Sequence, residues 1–307
     1  MTFRRPDTLR GTLHALAEQT RPPDQLFVVD NEPLDANLRA VEEYREAGLR
    51  ATYLPMDENV GPAGGYAAGI ATALELVDGH RSWIVLVDDD DPPWSDSILE
   101  DMERFANDTA HRDPATGAVG IGGARFNLRT GKTKRLLDSE LTLPIRVDTI
   151  GNGVWPFYDP DALAAAGSFD PELFFGFEEL DVGLRLGKAG YHLYCNGPLR
   201  LDSRRRSDRL GLEVRPRWRG SRPAWRRYYS IRNLIWILRS NGSVRGAVWL
   251  TLTAGIMKSV VGVFTRVPDG REQARFAFKA CRDGWAGRLG RRVEPPRRYD
   301  EEVATHR

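Results

Sequence analysis

Four consecutive carboxylates are the feature of this sequence with the clearest chemical meaning. Asp88 to Asp91 directly follow an apolar run, residues 83–87, and precede two prolines. The run has the length and β-branched content of a buried strand, which the prolines end. Adjacent carboxylates repel one another, so a divalent cation would stabilise them, and ligands of open α/β sheets bind at this end of the strands. A solvated acidic turn before a helix capped by Ser95 or Asp96 is an equally good interpretation of this segment alone.

A glycine-rich run at residues 59–69 also has a pattern that suits a ligand. It begins Asn59-Val-Gly61, contains Gly65, follows a predicted strand and opens a predicted helix. Glycines permit close approach, and a helix N-terminus favours an anion. The run is neither a P-loop nor a GxGxxG motif. Tight packing of helix on sheet explains its small residues equally well.

Three carboxylates open another predicted helix, directly after the aromatic residues 174–177. They are Glu178, Glu179 and Asp181. Acids in a first turn stabilise a helix by ~0.3–1 kcal/mol each, which accounts for one or two of them. Glu178 and Asp181 share one helix face, so that pair can be structural while Glu179 faces a ligand. The aromatic residues would exclude water from a carboxylate with a chemical task.

Helix and strand signals alternate along the first two thirds of the chain, which predicts an α/β fold. Strands are predicted at residues 26–29, 51–54, 83–87, 119–126 and around 146–154. Helices are predicted at residues 9–16 with Asp7 as cap, 34–47, 62–77, 159–166 and 178–188. From Pro223 onward the pattern is helical, and the boundary is expected within 202–222. We therefore predict two domains, 1–210 and 211–307.

Composition and charge are those of a soluble, reducing-compartment protein. Of 307 residues, 41% are hydrophobic and 28% charged, and the two cysteines have no metal-site spacing. The N-terminus has no apolar signal segment, so we expect a cytoplasmic location. Thirteen arginines lie between Arg200 and Arg239. Arginine outnumbers lysine along the whole chain, which argues against nucleic-acid binding as the reason for this stripe. Anionic phospholipid or a pyrophosphate-bearing ligand explains a local basic stripe equally well.

Taken in order, these segments resemble the inverting, GT-A-fold glycosyltransferases of family 2, and most closely the rhamnosyl- and galactofuranosyltransferase-like members. The resemblance extends from Thr2 to about Arg239. Besides the three runs above, the matching segments are Thr2-Phe-Arg-Arg-Pro6, Val28-Val-Asp30-Asn31, Gly151-Asn-Gly153 with Trp155, and Tyr228-Tyr229 with Arg232-Asn233. It implies a mixed sheet flanked by helices, with a helical C-terminal extension.

The resemblance also implies roles for individual residues. A UDP- or dTDP-sugar, for example of galactofuranose or rhamnose, would be bound by Asp30, Asn31, Asn59, Gly61, Gly65, Asp88 and Asp89. Mg²⁺ or Mn²⁺ would be held by Asp88, Asp90 and Asp202, the last of which stands where the family usually has a histidine. Glu179 would be the general base. Trp155, Glu178 and Asp181 would lie on the side of a glycan or polyprenyl-linked acceptor.

Two departures from the family pattern set further expectations. The family's first β-strand precedes the Thr2–Pro6 motif, so we expect the sheet to lack a member, which a misplaced start codon would explain. The acid pair is Glu-Glu, so the base is one methylene longer than an aspartate. A non-catalytic nucleotide-sugar-binding relative is the alternative function. A nucleotidylyltransferase would need a basic Gly-rich loop after its first strand, and a haloacid-dehalogenase-like phosphatase would not have Pro92 in its motif.

Residues 246–264 form an apolar stretch about as long as a membrane span. Lys258 in its middle argues against a lone lipid-exposed helix. Two interpretations remain, a core helix packed on the protein and an interfacial helix that brings the chain to the inner face of the cell membrane.

Overall fold

The computed structural model of the chain describes residues 1–77, 82–151, 155–211, 223–264 and 269–294. The chain divides into two compact units. The first consists of Met1–Arg125, Lys134–Asp170 and Glu179–Leu212, and the second of Phe126–Thr133, Pro171–Glu178 and Glu213–Arg307. Residues 126–133 and 171–178 belong to the second unit, although they precede the predicted boundary at 210–211. The two predicted domains stay a prediction.

The first unit alternates helices and strands, as the sequence predicts. Its helices are α1 Pro6–Ala17, α2 Asp35–Glu46, α3 Gly61–Leu74, α4 Ile98–Arg112, α5 Pro160–Ala166, α6 Glu178–Lys188 and α7 Gly197–Arg206. The strands of the chain are β1 Leu26–Asp30, β2 Ala51–Pro55, β3 Ile84–Val85, β4 Thr116–Gly120, β5 Ala124–Asn127, β6 Lys132–Arg135, β7 Ile145–Val147, β8 Phe157–Tyr158 and β9 His192–Cys195.

The strands form one mixed sheet and two small ones. The large sheet has five strands in the order β3-β8-β4-β9-β7, in which β4 and β9 are parallel and the other pairs antiparallel. Strands β1 and β2 form a separate parallel pair, and β5 and β6 form a hairpin. The predicted mixed sheet is therefore confirmed. Strands β1 and β3 lie in different sheets.

Two apolar cores cover the two faces of the strands in the first unit. Alternate residues of one strand face opposite cores, so Ala118 packs with Tyr66 and Ile70 of α3, whereas Val119 packs with Leu9 of α1. Helix α1 begins with Pro6 at its first position, which suits the fixed φ of proline, and buries Leu9, Leu13 and Leu16 at helical spacing. These cores fix the carboxyl ends of β1 and β3.

Several local predictions were wrong. The predicted strand 119–126 is two strands, β4 and β5. Arg5 rather than Asp7 occupies the N-cap of α1, and Asp7 lies in the first turn. Helix α4 has Ser97 at its N-cap, so neither Ser95 nor Asp96 is the cap. Strand β3 is shorter than the apolar run 83–87, because tertiary pairing with β8 involves only two of its residues.

The second unit is mainly helical. Its helices are α8 Ala224–Ser240, α9 Val244–Leu250, a π-helical stretch Thr251–Met257, α10 Lys258–Phe264 and α11 Gly270–Trp285. Among the described residues, Val244–Val261 is the one helical stretch long and apolar enough to cross a membrane by length and composition, and 29% of it is buried. The buried fraction is low for a core helix.

Candidate functional site

The carboxylates that follow β3 differ in their surroundings. Asp89 is 7% exposed, and its Oδ2 accepts a hydrogen bond of 2.8 Å from the hydroxyl of Thr2. Asp88 is half-buried and accepts a hydrogen bond from the hydroxyl of Tyr66 on α3. Asp90 is more accessible, with 31% of its side chain exposed. Asp89 is therefore the most buried of these three carboxylates.

A cationic side chain already lies against these acids. Nη1 of Arg5 donates a hydrogen bond of 2.8 Å to Oδ2 of Asp90 and lies 3.6 Å from Oδ1 of Asp89. Burial is the main reason why the pKa values of Asp88 and Asp89 are raised, and Arg5 opposes that shift. The cluster thus attracts positive charge, as the four adjacent acids predict. Arg5 lies within the predicted Thr2–Pro6 motif, but its pairing with Asp90 could not be read from the sequence.

Asp30 and Asn31 end β1 as predicted, and both are buried. The carboxylate of Asp30 accepts hydrogen bonds from four internal donors, namely Glu32 N, Leu34 N, Asn37 Nδ2 and Tyr53 OH. The amide of Asn31 donates to the carbonyl of Gly61 and accepts from the N–H of Val60. Asn31 therefore joins the end of β1 to the start of α3, the arrangement that a site at the strand ends requires.

The glycine-rich run opens α3, as predicted. Oδ1 of Asn59 accepts a hydrogen bond of 2.8 Å from the N–H of Gly61, whose φ of +69° suits glycine. A Cβ on Gly65 would lie 2.8 Å from Sδ of Met1, and one on Gly69 would lie 3.0 Å from Val29. Packing of α3 on its neighbours accounts for Gly65 and Gly69 without any ligand.

The acids of α6 take different positions, as the helix geometry predicts. Asp181 is buried, and its Oδ2 accepts a hydrogen bond of 2.8 Å from Nε of Arg185. That guanidinium also donates to backbone carbonyls, including those of Ala166 and Ser168, so the pair anchors the chain after α5. Burial raises the pKa of Asp181, although Arg185 opposes the shift. Glu178 is buried at 4% exposure, whereas Glu179 is half-buried.

Two buried residues of α8 hold the segment that leads to these acids. Nδ2 of Asn233 donates to the carbonyl oxygens of Leu173, Phe175 and Gly176 at 3.0, 3.0 and 2.7 Å. Arg232 donates to the carbonyls of Leu173 and Gly290, at 2.7 and 2.6 Å. Both α8 side chains are fully buried. The Arg-Asn pair matched in the sequence therefore contacts the backbone of residues 171–178, which its spacing could not reveal.

The aromatic residues before α6 pack against α8. The rings of Phe174 and Tyr229 are 5.0 Å apart, and those of Phe175 and Trp225 are 4.8 Å apart. Their contacts are thus with the helical unit to which they belong, and the expected shielding of a carboxylate stays a prediction.

The remaining predicted residues lie apart from the acidic cluster or outside the description. Trp155 is 1% exposed and packs in the core with Val119 and Phe157. Asn152 and Gly153 lie outside the described residues. Asp202 is within α7, where its Oδ2 accepts a hydrogen bond of 2.7 Å from Nε of Arg206. Across the described residues, no three His, Cys, Asp or Glu side chains converge as a metal site, so Asp202 is not brought together with Asp88 and Asp90.

A separate cavity of about 370 Å³ lies between β1 and β3. It touches Asp88 and Asp89 at one end, but its walls are chiefly aliphatic side chains of α1, α3 and the two strands. A nucleotide diphosphate needs polar and charged partners, so this cavity does not suit it.

Comparison with known proteins agrees with the geometry. A family model described as "Glycosyl transferase family 2" matches residues 1–154, half of the chain. Galactofuranosyltransferase GlfT1 of Mycolicibacterium smegmatis is 31% identical over 203 residues, which cover 62% of this chain and 64% of that protein. GlfT1 of Mycobacterium tuberculosis H37Rv is 32% identical over 201 residues, with the same two coverages. The match spans less than two thirds of the length of these curated relatives.

Among solved structures, the chain is similar to GalNAc-T7 crystallised with UDP, GalNAc and Mn²⁺. The TM-score is 0.53 at 13% sequence identity, over 97% of this chain and 55% of that one. A likeness at this identity shows the fold alone, and the fold is the GT-A arrangement that the sequence predicts.

Proposed function

We propose that this chain, which belongs to glycosyl transferase family 2, transfers a sugar from a nucleotide diphosphate donor to an acceptor hydroxyl with inversion. The observation that carries the proposal is the meeting of Asp88–Asp90 with Thr2 and Arg5 at the carboxyl end of β3, within the residues that match the family. Ligands of open α/β sheets bind at this end. Because the curated relatives are galactofuranosyltransferases, UDP-galactofuranose is the first donor to test.

The donor would lie across the ends of β1 and β3. Asp30 and Asn31 would contact the nucleoside, and the start of α3 at Asn59 and Gly61 would face the diphosphate, because a helix N-terminus favours an anion. The hydrogen bonds between Asn31 and the backbone of Val60 and Gly61 hold these two elements together. Asp89 would support the site through its bond to Thr2.

The donor chemistry of the acidic cluster fits a divalent cation. Asp88 and Asp90 offer carboxylate oxygens, the ligands that Mg²⁺ and Mn²⁺ prefer, and Arg5 demonstrates that the cluster accepts a cationic partner. Asp88 and Asp90 would hold the metal, which when bound neutralises charge on the leaving diphosphate. Asp202 would join them only if α7 brought it closer.

Glu179 would act as the general base. Its carboxylate would accept the proton of the acceptor hydroxyl while that oxygen attacks the anomeric carbon and the nucleotide diphosphate leaves. Its half-buried position near the start of α6 supports this role better than the buried position of Glu178. Asp181 is held by Arg185, which leaves it a positioning role next to the acceptor side.

The experiment is turnover of UDP- and dTDP-sugars with Mn²⁺ or Mg²⁺, with release of nucleotide and product both measured. We expect Glu179→Gln to reduce turnover by about 10²–10⁴-fold and to leave donor binding intact. Glu46→Gln, the same substitution at an exposed position of α2, is the matched control. Donor binding without turnover in the unsubstituted chain, with acceptors present, would favour the non-catalytic relative.

We further propose that the acceptor is a polyprenyl-linked glycan reached at the inner face of the cell membrane. Large apolar side chains lie exposed along α9, the π-helical stretch and α10, including Trp249 at 49% and Phe264 at 82% exposure. Val248, Leu252, Ile256, Met257 and Val260 are also exposed. Arg245, Arg271 and Arg275 are exposed in the same helical unit and suit anionic headgroups.

Binding to vesicles tests this surface separately from catalysis. We expect the chain to sediment with vesicles that contain phosphatidylglycerol and to bind less to pure phosphatidylcholine. Trp249→Ser with Phe264→Ser should abolish most of that binding, whereas Leu137→Ser, which changes an exposed leucine of the first unit, should not. Equal loss with all variants, or no binding at all, would overturn the membrane proposal and leave the transferase proposal standing.

A further inference from the structure

Four arginine side chains lie together at α7 in the first unit, and one carboxylate accompanies them. Arg200 and Arg204 belong to α7, Arg209 follows that helix, and Arg135 is the last residue of β6. Nη2 of Arg135 donates a hydrogen bond of 3.1 Å to the carbonyl oxygen of Arg209. The carboxylate is that of Asp138, which accepts a hydrogen bond from Nη1 of Arg204. We refer to these four arginines as the arginine cluster.

One carboxylate does not balance the charge of the arginine cluster. Oδ1 of Asp138 accepts from Arg204 and its Oδ2 accepts a hydrogen bond of 2.7 Å from the N–H of Gly211, so both of its oxygens are engaged. Arg200 and Arg204 are four residues apart on one helix, a spacing at which like charges repel. Burial lowers the pKa values of Arg135 and Arg200, and the nearby charge of Arg204 lowers both further. An anion among these side chains would relieve the repulsion.

Two members of the arginine cluster have donors without a partner in the described part of the chain. Arg204 is 3% exposed, and its buried Nε has no hydrogen-bond partner there. The guanidinium of the half-buried Arg200 forms no hydrogen bond or ion pair with any described residue. Buried donors normally have partners, and buried arginines are normally paired with an anion. The arginine cluster therefore has both donors and positive charge to offer a ligand.

The arginine cluster lies at the edge of the large sheet where ligands bind. Burial raises the pKa of the Cys195 thiol to about 11, and the charges of Arg200 and Arg204 oppose that shift, which places both arginines near the carboxyl end of β9. Strand β9 is parallel to β4, and β3 is also parallel to β4 because both pair antiparallel with β8. The carboxyl ends of β3 and β9 therefore share one edge, three strand spacings apart, or roughly 14 Å.

The arginine cluster and the end of β1 lie on opposite sides of the acidic residues 88–91. The Met1 amine donates to Val87 O after β3, and Thr2 N donates to Val29 O on β1, so β1 lies beside β3. Strand β3 is at the end of the large sheet, and β9 is three positions further into it. In an inverting displacement, the attacking oxygen approaches the face of the sugar opposite the leaving group. With the donor on the β1 side, a ligand on the β9 side would be on the acceptor's side.

We propose that the arginine cluster binds a pyrophosphate group carried by the acceptor. This inference rests on the proposed transferase function, and it adds the anionic group of the acceptor and the residues that recognise it. Guanidinium groups suit pyrophosphate because their planar pairs of N–H donors match two phosphate oxygens. Arg200 and the unpartnered Nε of Arg204 would donate to these oxygens, while Asp138 holds Arg204 in position.

Calorimetric titration with pyrophosphate tests the arginine cluster without donor or turnover. The full chain is titrated with inorganic pyrophosphate and with farnesyl pyrophosphate, in the presence of a chelator and at about 0.15 M salt, where distant charges are screened. We expect Arg200→Gln to weaken the binding of both by about tenfold or more, as loss of hydrogen bonds to a charged group does. Arg205→Gln, the same substitution at an exposed position of α7, is the matched control and should weaken neither.

The stability of the ligand-free chain separates a binding role of Arg200 from a structural one. Because Arg200 has no described partner, Arg200→Gln removes a half-buried charge and should raise the unfolding temperature. Pyrophosphate should raise the unfolding temperature of the unsubstituted chain more than that of the variant. A lower unfolding temperature for Arg200→Gln together with unchanged pyrophosphate binding would overturn the proposal.

Titration with UDP in the presence of Mn²⁺ distinguishes the donor from the acceptor as the source of the pyrophosphate. We expect Arg200→Gln to leave UDP binding unchanged. If UDP binding weakened as much as pyrophosphate binding, the arginine cluster would hold the diphosphate of the donor, and the proposal would be overturned. Equal loss of pyrophosphate binding with Arg205→Gln would also overturn it. Pyrophosphate binding that depends on Arg200, in a chain that transfers no sugar, would refute the transferase function and leave the pyrophosphate site standing.

Discussion

The side-chain amide of Asn233 donates a hydrogen bond of 2.7 Å to the carbonyl oxygen of Gly176. Gly176 belongs to a short segment with unusual backbone angles, since φ is +58° at Phe174, +82° at Gly176 and +69° at Phe177. Left-handed conformations of non-glycine residues typically cost about 1–3 kcal/mol each and need contacts that maintain them. Asn233 supplies such contacts three residues before the proposed base Glu179.

We therefore expect Asn233→Asp to weaken this segment. A carboxylate of the same size cannot donate, and an unpaired buried carbonyl costs about 1–3 kcal/mol. The unfolding temperature should fall, and hydrogen exchange of residues 173–177 should accelerate. The rate of sugar transfer should decrease, with a larger change in kcat than in KM.

Asn241→Asp is the matched control for that substitution. Asn241 follows α8 and its amide donates one hydrogen bond of 2.7 Å to Ile237 O. If both variants lost stability and activity equally, the link between Asn233 and the segment before α6 would be refuted.

Replacing two glycines of α6 by alanine should have opposite effects on stability. A Cβ on Gly183 would overlap the carbonyl oxygen of Asp148, whereas Gly187 has nothing within 4 Å. Gly183→Ala should therefore destabilise the protein by about 1–3 kcal/mol through overpacking. Gly187→Ala should stabilise it by about 0.5–1 kcal/mol through helix propensity. Urea unfolding of both variants measures the difference, and destabilisation by Gly187→Ala would contradict it.

Stability in acid should depend on Asp113, which directly follows α4. A hydrogen bond from His192, with further ones from Tyr194 and the N–H of Ala115, holds the pKa of Asp113 below its ordinary value of 3.8. The stabilisation is therefore present above pH 3.8 and is lost as the pH falls through the lowered pKa. Asp113→Asn should lower the unfolding temperature by a few degrees near neutral pH, and the deficit should shrink in acid.

The exposed Asp161→Asn provides the reference for Asp113→Asn across the same pH series. If the decrease in unfolding temperature caused by Asp113→Asn stayed constant from neutral to acid pH, the charge of Asp113 would not contribute to stability.

The sequence predicts elements whose pattern is local and misses those defined by their partners. Helices α3 and α6 were predictable because small or acidic residues open them at characteristic spacing. Strand β8 was missed because two residues have no periodicity, and its place between β3 and β4 is decided by pairing. Strand β9 was missed although Leu193 and Cys195 are buried, because four residues with only two on the buried face give a weak signal.

The candidate site shows the same limit. The motifs predict which acids carry chemistry, and the partners that distinguish these acids in the structure lie far along the chain. Tyr66 contacts Asp88, and Arg5 contacts Asp90 across 85 positions. Such contacts follow from tertiary packing. The spacing of the acids could therefore not show that Thr2 bonds to Asp89, nor that Asp90 is more accessible than Asp89.

That difference in accessibility leads to a prediction about the metal. Asp90 has 31% of its side chain exposed and forms an ion pair with Arg5, so Asp90→Asn should leave the fold intact. It should raise the Mn²⁺ concentration needed for half-maximal sugar transfer by at least about tenfold, as loss of a metal-supporting group does. Asp96→Asn, an exposed acid shortly after the cluster, should leave the Mn²⁺ titration unchanged. If Asp90→Asn and Asp96→Asn gave the same titration as the unsubstituted chain, Asp90 would not be a ligand, and Arg5 would be the cation that the acidic cluster requires.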